Sequence, residues 1–245
     1  VGCGRFIDAT ALRKAVRIDT YFVDEGVTTE RMPRDSMLRL AHIIESERVY
    51  RQEHGSATYA KYWLGAIEAE ARRSGALTGE GVGAAGVFRV EEVLFRENIG
   101  DRFYGYDVAG GLRYDVTNAD GLTPGAPRGD VTARYARPIQ WSTQIDASLR
   151  VNTPLDANVG RLYEVAATVG YLYELTNRVD FLLDYGAGVL ADTRGGPTVV
   201  THAIRPSFLL YLEDELRLLA TVRVLNPAGE PWRQELALTL NYKAF

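Results

Sequence analysis

The sequence predicts a mainly β protein: an antiparallel, up-and-down β-barrel of about eight strands that follows an N-terminal helical segment. Two observations predict this fold class. Apolar residues recur with the helical period of about 3.6 as far as residue 76 and at every second position from residue 86 onward. A Gly-rich stretch, "GALTGEGVGAAG", separates the two patterns. We therefore assign residues 1–80 to the helical segment and residues 86–245 to the barrel.

The composition is that of a folded protein without transmembrane helices. The chain has 245 residues, of which 46% are hydrophobic, and it contains no run of about 18 apolar residues. The 28 basic and 32 acidic residues are spread along the chain and give a net charge of -4, which argues against a nucleic-acid partner. One Cys excludes an internal disulfide framework, and no zinc-ligand pattern is present. We expect neither a metal nor another cofactor.

The helical segment carries two apolar stripes and a shorter helical pattern before them. In "ATYAKYWLGAIEAEARR", Tyr59, Tyr62, Trp63 and Ile67 recur at helical spacing and define one face. "SMLRLAHIIESERVY" carries the other stripe, and "ATALRKAVRI" is the shorter pattern. Two interpretations of the Tyr59 face are open. It could bind a partner protein, or the helices could bury it against one another or against the rest of the chain.

The barrel segment alternates apolar with polar or small residues. The run at 131–151 holds one phase throughout, although Pro138 suggests a bend, an edge position or a break into two strands there. Several runs are longer than the five or six residues of most strands in soluble proteins. The eight predicted strands are 87–95, 103–116, 131–151, 162–175, 178–190, 200–212, 216–224 and 232–245.

The polar sides of these strands carry Gly, Ala, Ser and Thr together with charges of both signs. In a narrow barrel such charges would face the lumen and pair across neighbouring strands. The connections also alternate: Thr176-Asn177 and Glu213-Asp214 are short, whereas "DTRGGPT" and "NPAGEP" are longer. The predicted lumen charge network consists of Asp107, Arg113, Arg134, Asp146, Arg150, Glu164, Asp180, Asp184, Arg217, Arg223 and Glu235.

Strand length, aromatic residues near strand ends and small polar-side residues favour a sheet whose apolar face meets lipid. Residues 86–245 thus resemble a bacterial outer-membrane β-barrel protein, and the alternating terminal run "LALTLNYKAF" adds to the likeness. Such proteins commonly end in an aromatic residue that the assembly machinery reads. Phe245 takes that place here. A second aromatic usually lies two residues before the end, where this chain has Lys243, and the nearby aromatic is Tyr242. The resemblance implies location in the bacterial outer membrane.

No constellation of catalytic residues is visible, so we expect no enzyme. His202 is the only His in the barrel segment, and Ser207 has the opposite parity, so the two would not meet as base and nucleophile. "VGCG" resembles the end of a lipoprotein signal, so Cys3 is either a lipidation site or an ordinary thiol.

We expect a structural barrel that contacts membrane lipids and anchors periplasmic helices for an envelope protein. A small channel with the helices as a plug, and a soluble β-barrel or sandwich lipid carrier, are the alternatives.

Overall fold

The chain divides into two compact units. The sheet unit comprises Val1–Ile7 and Phe103–Phe245, and the helical unit comprises Asp8–Arg102. The helical unit is therefore an insertion into the sheet unit, and the Gly-rich stretch lies inside it, where the Thr78 N–H donates to the Val27 carbonyl at 3.0 Å. The computed structural model describes residues 1–97, 99–114, 127–156, 159–194, 196, 198–213, 216–227 and 230–242.

The helical unit has a conventional apolar core. The side chains of Ile18, Phe22, Leu40, Trp63 and Ile67 are fully buried in it. Its elements are α1 (Thr10–Asp24), α2 (Arg34–Glu45), α3 (Glu47–His54), α4 (Tyr59–Arg73), α5 (Gly83–Glu91) and a π-helical turn (Glu92–Arg96). Within the described residues, no helix combines the length and the hydropathy that a membrane crossing requires.

The sheet unit forms one antiparallel sheet whose strands lie in chain order. The prediction of a mainly β, up-and-down fold with N-terminal helices is confirmed. The count is nine strands rather than about eight, and within the described residues no ladder joins the last strand to the first, so the sheet is open. The strands are β1 (Gly2–Asp8), β2 (Phe103–Arg113), β3 (Arg128–Gln140), β4 (Thr143–Pro154), β5 (Leu162–Thr176), β6 (Val179–Asp192), β7 (Val199–Glu213), β8 (Leu216–Asn226) and β9 (Arg233–Tyr242).

The prediction of a strand at 87–95 is wrong, because this segment belongs to α5 and the π-helical turn. Val90 and Val93 lie three residues apart and are both buried in the core of the helical unit. That spacing places them on one helical face, and their burial outweighs the preference of Val and Phe for strands.

The first strand, β1, contradicts the prediction that residues 1–76 are helical. β1 is a short, Gly-rich strand that pairs with β2: the Val1 N–H and carbonyl both bond Gly110 at 2.8 Å. Pairing between residues so far apart in sequence leaves no local pattern, and "GCG" offers too few side chains for alternation to be visible.

The predicted strand at 131–151 is two strands, β3 and β4, joined by a turn at Trp141-Ser142. A two-residue turn alone would pair Gln140 with Thr143 and would invert the alternation. The register shifts between Pro138 and Gln140, which restores pairing of odd with odd residues, as in Val131 opposite Val151. The bulge therefore lets the alternation run through the turn in one phase, which hides the turn from the sequence pattern.

The short and the long links between strands lie at opposite ends of the sheet. The short links are 141–142, 177–178 and 214–215, and the long ones are 114–127, 155–161, 193–198 and 227–232. Because β1 and β2 are antiparallel, the chain enters and leaves the inserted helical unit at the short-turn end.

Candidate functional site

The strand registers sort the sheet residues onto two faces. Asp107 lies opposite Arg134, Asp146 opposite Gly170, and Gly170 opposite Asp184, so these residues share one side. All eleven residues of the predicted charge network fall on this side, which we call the polar face. The other side, the apolar face, includes the row Tyr173, Phe181 and Phe208.

The apolar face is exposed. Leu236, Leu238 and Leu240 on β9 are 72%, 67% and 60% exposed. Among the described residues of the sheet unit, Ala136 is the only buried hydrophobic residue, and it lies on the polar face. A contiguous apolar surface of this extent marks a binding or membrane surface rather than a water-facing one. Further exposed members are Tyr106, Val131, Tyr135, Leu149, Val169, Leu183, Tyr185, Ile204 and Val222.

Aromatic side chains lie near both ends of the apolar face. At the short-turn end, Phe181 and Phe208 pack with ring centroids 5.1 Å apart, and Tyr173 lies opposite Phe181. Tyr163 lies ten residues before Tyr173 on the same strand, near the long loops. At about 3.3 Å per residue this is roughly 33 Å along the strand, and a tilt of about 40° reduces it to roughly 25 Å, the height of the apolar band of membrane barrels.

Charges on the polar face pair with opposite charges on neighbouring strands. Asp107 pairs with Arg134 at 2.8 Å, and Arg223 pairs with Glu235 at 3.7 Å. Three other predicted charges take partners that the sequence analysis did not include in the network. These pairs are Arg150 with Asp130 at 2.7 Å and Asp184 with Arg205 at 3.9 Å on neighbouring strands, and Glu164 with Arg128 at 3.5 Å across the intervening β4.

The missed partners show why the sequence reading was incomplete. Arg128 and Asp130 have the same parity as Arg134, but the predicted strand began at residue 131, three residues after β3 begins. Extending the alternation upstream would have found both. The Arg217 guanidinium donates to the Tyr211 hydroxyl at 2.8 Å. Arg113 lies at the end of β2, opposite Arg128.

Side chains converge over glycines on the polar face. A Cβ at Gly170 would lie 2.6 Å from the Asp146 carboxylate, and one at Gly188 would lie 2.7 Å from the Thr201 hydroxyl. Polar residues nearer the short turns are buried, including Asp180, which is 1% exposed, and Glu174 opposite it. Crowding on this side and exposure on the other indicate that the sheet curls toward the polar face.

A hollow of about 400 Å³ lies on the polar face, lined by residues of four consecutive strands, β5 to β8. Such a volume falls within the range of small-molecule sites. Small side chains make up most of its wall, with Arg223 as its charged residue. Its polar-face lining includes Ala166, Thr168, Gly186, Gly188, Thr201 and Arg223.

Most of the face of α4 that was predicted to bind a partner is buried. Tyr59, Trp63 and Ile67 lie in the core of the helical unit, where the Trp63 indole donates to the Ile43 carbonyl at 2.7 Å. Buried side chains leave no surface for a partner, so their role is packing. Tyr62 is exposed and stacks on His54 with ring centroids 3.8 Å apart.

The helical unit also buries a carboxylate. Glu97 accepts a hydrogen bond from the Tyr21 hydroxyl and lies 3.3 Å from the Arg17 guanidinium. Burial raises the pKa of Glu97 above its usual value, although the hydrogen bond from Tyr21 and the charge of Arg17 act in the opposite direction. Burial also raises the pKa of Tyr21 to about 12, with the Glu97 hydrogen bond adding to the effect.

Cys3, His202 and the predicted assembly signal are the remaining residues that the sequence analysis singles out. Cys3 is exposed in β1, and its neighbours Gly2 and Gly4 lie against Ala109 and Asp107, which puts Cys3 on the apolar face by alternation. His202 accepts or donates a 2.9 Å hydrogen bond with the Tyr185 hydroxyl. The predicted assembly signal, Tyr242 and Phe245, lies outside the described part of the chain. Phe245 is not among the described residues, and only the backbone of Tyr242 is described. Within the described residues, no group of three potential metal ligands occurs.

Comparison with known proteins adds no relative: no protein-family model, no curated protein and no solved structure matches this chain.

Proposed function

We propose that this protein is an integral outer-membrane protein whose sheet unit spans the bilayer and anchors the helical unit. The observation that carries the proposal is the inverted burial of the sheet unit, with large apolar side chains exposed and polar side chains buried. A membrane-spanning sheet has this arrangement, because its apolar side meets lipid and its polar side faces inward.

The two ends of the sheet support a particular orientation. Outer-membrane β-barrels have short periplasmic turns and longer outer loops. With that orientation, the helical unit is inserted on the periplasmic side, where its exposed aromatics, Tyr62, Phe88 and Phe95, are available to an envelope protein.

Anchoring is favoured over conduction by the charges of the polar face. Opposite charges pair across β2–β3 and β8–β9, whereas a selective pore more often has rings of one sign. The hollow beside Arg223 supports a small channel as the second candidate. A soluble carrier would need a second layer over the apolar face, and the nine described strands belong to one sheet.

Membrane integration tests the proposal directly. Membranes from cells that express the full chain would be washed with alkaline carbonate, and the pellet solubilised in detergent. We expect the protein in the carbonate-resistant pellet and in solution only with detergent. Release by carbonate as a soluble, folded protein would overturn the proposal, and a peripheral membrane protein followed in parallel controls for incomplete washing.

A further inference from the structure

The open sheet has two strand edges without a partner. β1 pairs on one side with β2, through Val1 and Gly110, and β9 pairs on one side with β8. On the other side of each strand, no ladder is formed by any residue that the structure describes. Unpaired backbone groups can bond to water but not to lipid, so a membrane-spanning sheet requires a partner for both edges. The inference rests on the proposed function.

The middle of β9 has no protection against pairing. Soluble proteins shield edge strands with charges, Pro or bulges. Residues 236–240 of β9, "LALTL", contain neither a charge nor Pro, and their register with β8 is regular. The strand is therefore suited to hydrogen bonding on its second side.

The curl of the sheet favours a partner from the same chain. Side chains crowd over Gly170 and Gly188, and four consecutive strands line one hollow on the polar side. A ring of two copies would have eighteen strands and leave a water-filled channel, whereas rings of about eight strands are filled by their own side chains. The small residues of the polar face suit the narrow ring.

We propose that β9 pairs with β1 of the same chain when the sheet unit lies in the membrane. Nine antiparallel strands give the first and the last the same direction, so the seam is a parallel ladder. Its hydrogen bonds are evenly spaced and slanted, unlike those of the other eight pairings. An odd strand number also distinguishes this ring from the even-numbered barrels of most bacterial outer-membrane proteins.

Cys3, the sole cysteine of the chain, provides the test because it lies in β1 on the apolar face. Single cysteines would be placed on the apolar face of β9 (Gln234→Cys, Leu236→Cys, Leu238→Cys, Leu240→Cys) and on its polar face (Ala237→Cys, Thr239→Cys). Repeating the series with Cys3→Ser and Val1→Cys shifts the probe by two residues. Full-length protein would be oxidised in native membranes, separated without reductant and analysed by peptide mass spectrometry.

We expect an intramolecular disulfide with at least one apolar-face position and with neither polar-face position. Adjacent strands lie about 4.8 Å apart, within the Cα separations that a disulfide spans. Disulfide-linked dimers would overturn the proposal in favour of a second copy. A link formed only by a spacer of about 10 Å would overturn it in favour of an intervening strand, and no link in folded variants would mean separate edges. Carbonate resistance of the same samples shows whether the membrane assignment has failed instead.

Discussion

The two units of this chain bury opposite kinds of side chain. In the helical unit, Trp63 and Ile67 are 2% and 1% exposed, whereas Leu236 and Leu238 in the sheet unit are 72% and 67% exposed. The helical unit thus supplies its own apolar environment. The sheet unit has backbone ladders and polar pairs but depends on its surroundings to cover its apolar face, so one chain combines two modes of stabilisation.

The largest effect is expected for a substitution in the core of the helical unit, and it tests this contrast. Trp63→Ala should lower the free energy of unfolding of that unit by about 3–5 kcal/mol, because it leaves a cavity in a packed core. The matched change, Leu236→Ala on the exposed face of β9, should have a far smaller effect in detergent. The effect of Trp63→Ala is measured by thermal melts of the full chain in which the circular dichroism of the helices is monitored. Equal losses would mean that Leu236 is also a core residue.

A charge on the apolar face tests the sheet unit. Leu183→Arg, near the middle of β6, should cost about 2–4 kcal/mol in the bilayer and reduce the carbonate-resistant fraction. Its neighbour Asp184 lies on the polar face, 3.9 Å from Arg205, so Asp184→Asn should have a milder effect. If both variants assemble equally well, the assignment of the two faces is wrong.

The buried carboxylate of the helical unit should make its stability depend on pH. The pKa of Glu97 is raised in the folded state. The contribution of Glu97 to the free energy of unfolding is therefore fully present below its unfolded pKa near 4.5, and it is lost as the pH rises through the folded pKa. Glu97→Gln should flatten the fall in melting temperature above pH 4.5. Glu68→Gln, at a more exposed ion pair with Arg72, is the control, and an equal flattening there would exclude a specific effect of Glu97.

The smallest expected signal is that of conduction. Purified protein in planar bilayers should give no current above background, since about nine strands leave little room once side chains fill the lumen. Stable single-channel steps that disappear in Arg217→Gln or Arg223→Gln would favour the channel over the anchor.

Sequence alternation predicted the faces of the sheet better than the limits of its strands. Asp107, Asp184 and Arg223 fall on the expected side because the period of two is a local property of the chain. The turn at Trp141-Ser142 was hidden, since a bulge kept the alternation in phase. β1 was missed because pairing of Val1 with Gly110 is a long-range contact.

The same limits apply to the candidate site. Periodicity identified which charges share a side, but partners such as Asp130 depended on where a strand begins. Helical spacing also identified Tyr59, Trp63 and Ile67 as one face of α4. Spacing alone does not distinguish a face that binds a partner from one that packs in a core, and only their burial decided between the two.

The insertion of the helical unit has a consequence for the order of folding. Val1 and Gly110 are 109 residues apart in sequence, and closing so long a loop costs roughly 3 kcal/mol of chain entropy more than a tight turn does. Inside the helical unit, however, the two ends are already joined: Ala9 donates to the Arg102 carbonyl at 2.6 Å, and the Arg102 N–H donates to the Thr10 hydroxyl at 2.9 Å. Once that unit has folded, β1 and β2 leave it side by side, and a distant pairing becomes kinetically a local hairpin.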